Sequence, residues 1–387
     1  MRRFYDLQGI LSIPEDEMEL IGQQAADGDP VACYKLARVH LCLHDCDDYV
    51  RVAHELLVKA QKGGVSDAGA AIAAMMFKGE LEPYDPRGAA MLLEEALKNN
   101  SEYAAYFQLL NLLYGRYGYN EDPELVLKTL DGLIAESDNP YWYSLKGDAL
   151  SYLGKSGEAL PWYEKAVEGG VISAYGDLAM ARGMNDDGSF RDYDAFCDTL
   201  VEGNDMRDPM CMYYMAMNRM FEYDEIDPED EEIRTEYRDL IVNALELCAE
   251  DCLSVSFELL GDIYREGRIG VPADPIKAWQ YYVNGSEFYL ASCFGKMYDM
   301  LQADEIALGK MNSEDAMDLC AVNGARLHDK RLLAATVERY RRGRLTQFAR
   351  EIEMYHIPAY DAIPDDEPLD DDEEDYPDDD GRNDAWA

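Results

Sequence analysis

Positive charge is scarce in this chain. Its 387 residues carry 35 Lys and Arg against 79 Asp and Glu, a formal net charge of -44. Phosphate backbones are held by cations, so this balance argues against DNA or RNA as a partner. Anionic membrane surfaces are disfavoured for the same reason. Histidine is scarcer still, with five in all and three of them at 40, 44 and 54. A dispersed catalytic triad is hard to assemble from that set. Also absent are a phosphate-cradling glycine loop, a strand-turn-helix nucleophile and a metalloprotease histidine pair. The stretch "MNDDGSF" and the acidic run at 222–239 both lack the spacing of a calcium loop. No enzymatic activity, cofactor or metal is expected.

Long apolar runs are missing too. The longest, "AGAAIAAMMF", covers about half a membrane span. The opening "MRRFYDLQGILSIPEDEM" is interrupted by Asp6, Gln8 and Pro14, which does not read as a secretory signal. The nine cysteines are odd in number and scattered through apolar helical patterns, as free thiols in a reducing compartment would be. A cytoplasmic location is expected.

What the chain does have is a period. "KAQKGGVSDAGAA" and "KAVEGGVISAYGD" share Lys-Ala and Gly-Gly-Val, with Val65 and Val171 106 positions apart. The small residues that open candidate helices keep the same beat. Ala32, Ala68 and Ala104 are 36 apart, and Ala174 follows at 70, Cys211 at 37, Ser256 at 45 and Ser292 at 36. The long interval contains 222–239, which reads as a loop insertion. Within each period apolar residues recur twice at helical spacing with a turn between. Asp85-Pro86 and Asp274-Pro275 suit helix starts, and Gly63 and Gly169 suit left-handed helix ends. Gly261 and Ala278 would let two antiparallel helices approach closely. Nothing in the body reads as sheet.

Leu260-Gly261, Tyr264, Gly267, Gly270-Val271, Asp274, Lys277-Ala278 and Tyr281-Tyr282 resemble the Sel-like repeat, a branch of the tetratricopeptide class with a longer inter-helix loop. "YLGKSGEALPWYEKAVEGG" resembles an ordinary tetratricopeptide unit. The resemblance implies an all-α, right-handed α-solenoid of about eight helix-turn-helix repeats, period about 36, that binds proteins or peptides as an adaptor or scaffold. The expected layout is an N-terminal cap at 1–24, repeats over 25–327, basic capping helices over 328–356 and a disordered acidic tail over 357–387. From Asp361 onward the tail carries fourteen acids and one arginine. Such a segment cannot bury enough apolar surface to order itself.

Two groups are candidate partner-binding residues. Tyr141, Trp142 and Tyr143 stand near the start of a first helix, and aromatic side chains of this kind anchor interfaces. Arg339, Arg341, Arg342 and Arg344 centre a local charge reversal that would receive the chain's own tail or an acidic partner. "HLCLHDC" offers His40/His44 and Cys42/Cys46 as i,i+4 pairs. On one helix those pairs point about 200 degrees apart, so they cannot converge on one ion, and packing is the favoured reading. The leading function is a non-enzymatic adaptor holding a protein or peptide in its concave groove. The alternatives are an acidic chaperone or nucleic-acid mimic that sequesters a basic protein, and an enzyme regulator with a bound metal.

Overall fold

A computed structural model describes residues 7–345 apart from 12, 47, 82–84, 310–311 and 328. The acidic tail, Phe348 and Ile352 lie outside the described residues. The chain divides into two units, Met1–Gly115 with Tyr119–Leu253, and Ser254–Ala387 with Arg116–Gly118.

In the first unit two leading helices, α1 (Leu7–Leu11) and α2 (Glu15–Ala26), precede six antiparallel pairs. These are α3 (Pro30–Leu43) with α4 (Tyr49–Lys62), α5 (Ser66–Lys78) with α6 (Pro86–Lys98), and α7 (Glu102–Tyr114) with α8 (Pro123–Glu136). The next three are α9 (Pro140–Tyr152) with α10 (Ser156–Glu168), α11 (Ala174–Gly183) with α12 (Tyr193–Asp205), and α13 (Pro209–Glu225) with α14 (Glu231–Glu250). The second unit holds α15 (Ser254–Glu266) with α16 (Pro275–Glu287), α17 (Ala291–Gln302) with α18 (Ser313–Arg326), and a closing helix α19 (Lys330–Arg341). Among the described residues there is no strand, only a single bridge between Met184 and Phe190.

Local chemistry sets the helix ends. Six helices begin with Asp-Pro or Asn-Pro, at Asp29, Asp85, Asp122, Asn139, Asp208 and Asp274. Each cap side chain accepts a hydrogen bond from a backbone amide of the first turn, as Asp29 does from Ala32 N at 2.7 Å. Such a cap contributes about 1 kcal/mol, and proline there loses no hydrogen bond.

The Gly-Gly pairs divide two tasks that the sequence reading assigned to one residue. Gly64 and Gly170 are the left-handed ones, at φ 90° and 87°. Gly63 and Gly169 are not left-handed. A Cβ on either would overlap the ring of Pro30 or Pro140, so they are small because the first helix of their own pair crosses there. That is the physical content of the echo.

The repeat anchor is the third residue of most first helices. Ala32, Ala68, Ala104, Cys211 and Ser256 are all nearly or fully buried there. In the eighth pair the buried anchor is Cys293, one residue beyond the expected Ser292. Ser292 instead donates to Glu258 Oε2 at 2.6 Å. In the fourth pair the slot belongs to Trp142, which fills the gap between Ala104 and Ala174. The expected loop insertion at 222–239 is mostly helix: it lengthens α13 and α14 to 17 and 20 residues. Arg234 closes the short break, lying 4.1 Å from the Tyr223 ring and donating to the Ile226 carbonyl at 3.0 Å.

At the N-terminal end Ile10, Ile21 and Val39 form one core cluster, so α1 and α2 cover the open face of the first pair. At the other end α19 packs on α18, with Leu332, Val337 and Leu345 buried. No described helix is long and apolar enough to cross a membrane.

Candidate binding surface along the first helices

The two helices of a pair are not equivalent. In the first unit the first helices also touch one another along the stack, α3 to α5, α5 to α7, α7 to α9 and α11 to α13. Side chains on the first helices of these neighbouring pairs therefore stand side by side.

A cavity of about 710 Å³ opens at the N-terminal ends of α9 and α11. Its walls include Tyr141, Val171, Tyr175 and Arg207 from the repeats, and Leu11 and Pro14 from the N-terminal segment. The expected N-terminal cap therefore has a second task, as one wall of a cavity.

Charge along the row follows a rule that one unit keeps and the other breaks. In the second unit Gly261 meets the Tyr282 ring, and the next residue, Asp262, accepts from Tyr282 Oη at 2.7 Å. One pair later Gly295 is followed by Lys296, whose Nζ donates to both Asp262 oxygens at 2.8 and 3.0 Å. The carboxylate is neutralised within the array.

In the first unit the same frame recurs with a different outcome. Gly147 meets the Tyr163 ring, and Asp148 accepts from Tyr163 Oη at 3.1 Å. One pair later Gly176 is followed by Asp177, where the cation would stand. Asp208, the buried cap of α13, completes a line of three acids. Burial, and then the Asp208 charge, push the Asp177 carboxyl up to about 7. Burial and the neighbouring Asp177 raise Asp148 well above the ordinary carboxylate range. Both acids still keep partial access to solvent.

The residues singled out from sequence fall on different sides of this surface. Tyr141 is 7% exposed and lines the cavity. Trp142 is a core residue at 1% exposure, packed with Leu109, Leu130 and Leu145, and offers no open anchor. It occupies the anchor slot, which is why it turns inward. Tyr143 is half-buried and donates to Asp138 at 2.9 Å. Arg339 is buried and held by Asp318 and Glu314. Arg344 is exposed and pairs with Asp315 at 2.8 Å and Asp318 at 2.9 Å. Arg342 pairs with Glu338 on the same helix, and Arg341 is exposed. The basic stretch is largely matched by acids of α18 and α19, because a closing helix needs cations against an acidic neighbour. Asp148 and Asp177 went unnoticed in the sequence, although the residue after each repeat glycine was the signal that finds them.

The "HLCLHDC" segment does not form one helix. α3 stops at Leu43, and His44 turns left-handed at φ 48°. Cys46 is therefore off the helix and exposed, and none of the nine cysteines forms a disulfide. Burial pushes the Cys211 and Cys293 thiols far up, which suits packing and not reactivity.

Six stacked pairs in the first unit and two in the second, a buried small anchor near the start of most first helices, and the Gly-Tyr crossing repeated at Gly147 and Gly261 settle the architecture. Each unit is an α-solenoid arrangement of antiparallel helix pairs. No family model and no curated protein matches the sequence. Among solved structures, the solenoid is similar to a protective antigen of uropathogenic Escherichia coli strains displaying an SLR fold. That match has 18% identity, a TM-score of 0.35, and covers 88% of this chain and 72% of the other. A Sel1 repeat protein from Oxalobacter formigenes is similar at 18% identity, with a TM-score of 0.38 and 87% and 94% of the two chains covered.

Proposed function

We propose that the solenoid is a non-catalytic interaction scaffold whose first helices dock a segment of a partner protein, with a basic side chain of that partner between Asp148 and Asp177. The observation that carries this reading is the exchange of Lys296 for Asp177 at matching positions. Where the array supplies its own cation the carboxylate is charge-paired in place. Where it does not, acids crowd and their ionisation is suppressed. A partner's Lys or Arg would relieve that repulsion and gain charge-assisted hydrogen bonds in a partly dry site. Tyr175, half-buried at the cavity wall, would add aromatic contact area of the kind typical of such interfaces.

The competing reading, an acidic buffer for basic proteins, predicts the same sign of partner but a different dependence. Affinity capture with the wild type and with Asp177→Lys, at physiological salt and at about 1 M where screening falls to about 3 Å, separates them. Groove docking predicts a partner that survives high salt and is lost with Asp177→Lys. A set of basic proteins that salt removes and Asp177→Lys leaves intact would establish the buffer instead.

A further inference from the structure

The left-handed turn at His44 brings together three side chains that a continuous helix would scatter. His40 stands on the last turn of α3, and the His44 amide bonds back to the His40 carbonyl at 3.0 Å. The chain then reverses, so Asp45 Oδ1 lies 2.6 Å from His40 Nδ1. Cys46 follows, and one ligand atom from each of His40, Asp45 and Cys46 lies within 4.8 Å of the others. The geometry points to a divalent transition-metal site, best suited to zinc, formed by His40, Asp45 and Cys46. It does not depend on the groove reading above.

The donor chemistry fits. Imidazole nitrogen, carboxylate oxygen and thiolate sulfur are the three zinc ligand types, at roughly 2.0–2.3 Å from the ion. Two such ligands on one tetrahedral ion sit about 3.5 Å apart, so the Asp45 carboxylate must draw back from His40 by about 1 Å and no other pair need close by more than about 1 Å. Asp45 and Cys46 are exposed and next to a turn, and can make that movement without disturbing a core. A neutral imidazole with two anions cancels the charge of a divalent ion. Thiolate with imidazole favours zinc or copper over magnesium or calcium. On binding, the Cys46 thiol proton and any proton on His40 are released to solvent while the thiolate stays on the ion, so affinity falls as pH falls. Three protein ligands leave a fourth position for water. The segment also has surroundings that a surface trio usually lacks: Cys252, at the far end of α14, places its Sγ 3.5 Å from the Leu43 carbonyl. An ion on this turn would stiffen the place where α3 and the end of α14 meet.

The test uses the tag-free full chain under reducing conditions, titrated with Co²⁺ and then Zn²⁺. One Co²⁺ per chain with a thiolate-to-cobalt charge-transfer band, displaced by Zn²⁺, is the expected result. Cys46→Ser should remove the band, and His40→Ala and Asp45→Ala should each weaken Zn²⁺ binding at least about tenfold, the scale on which even supporting residues of a metal site act. Without any variant, Zn²⁺ should protect Cys46 from alkylation in the native protein while leaving Cys42 and Cys252 unchanged. The proposal is overturned by a band that persists in Cys46→Ser, by protection of Cys42 or Cys252 in place of Cys46, or by no binding at equimolar metal.

Discussion

Asp262 and Lys296 pair across successive first helices, and the position that Lys296 holds is taken in the first unit by Asp177. One substitution in a repeating frame turns a closed charge pair into a row of crowded acids. In one unit a lysine stands beside the carboxylate, and in the other an aspartate does.

The pH dependence of stability follows from that difference. The folded-state pKa of Asp177, about 7, lies above its unfolded value of about 3.9. The folded protein therefore holds a proton that the unfolded chain releases, and stability is lost as pH rises from about 4 through about 7. Asp177→Asn should raise the melting temperature relative to the wild type at pH 8 and change it little at pH 4. An equal shift at both pH values would refute the crowding. Asp177→Lys should also stabilise at pH 8, by forming with Asp148 the pair that Lys296 forms with Asp262.

Glycines of the array should respond with opposite signs. A Cβ at Gly261 would lie 2.6 Å from Tyr282 Cδ1, whereas one at Gly132 meets nothing within 4 Å. Gly261→Ala should cost about 1–3 kcal/mol through overpacking, and Gly132→Ala should stabilise by up to about 1 kcal/mol through helix propensity. Gly188 is a poor control, because its φ of 82° strains any side chain. Urea unfolding of both variants decides the matter, and equal destabilisation would mean that the crossing is misassigned.

The closing helix gives a third contrast. Arg339 is buried between Asp318 and Glu314, whereas the Arg342–Glu338 pair is well exposed. Arg339→Ala should cost about 1.5–3 kcal/mol by removing charge-assisted hydrogen bonds to buried Asp318, which then keeps only Arg344. Arg342→Ala should change stability by less than about 1 kcal/mol. Similar losses from both would show that α19 does not pack as described.

Trp142 and Tyr143 separate core from surface on one helix. Trp142→Ala should cost about 3–5 kcal/mol, as for other large buried aromatics. Tyr143→Ala should cost far less, since its hydroxyl contact to Asp138 is exposed. A melting curve for each variant is sufficient, and a Trp142→Ala protein as stable as the wild type would empty the anchor slot of meaning.

Sequence by itself determined the helix pairs, their number and nearly all of their register. Those properties are local: period, Asp-Pro caps and small residues at crossings act within one unit or between neighbours, so a linear pattern records them. It also exposed the Gly-Gly echo, though not the division of labour between Gly63, held small by Pro30, and Gly64, which turns left-handed. Tertiary structure decided what depends on facing and on partners distant in the chain. Trp142 reads as an exposed anchor until the stack assigns it the buried slot, and Arg339 reads as a free cation until Asp318 is placed against it. His40, Asp45 and Cys46 meet only because α3 stops one residue short of His44, a left-handed turn that no periodicity announces. Asp177 acquires its altered proton affinity only when it is buried with Asp208 beside it, because desolvation and like charge are properties of a folded neighbourhood.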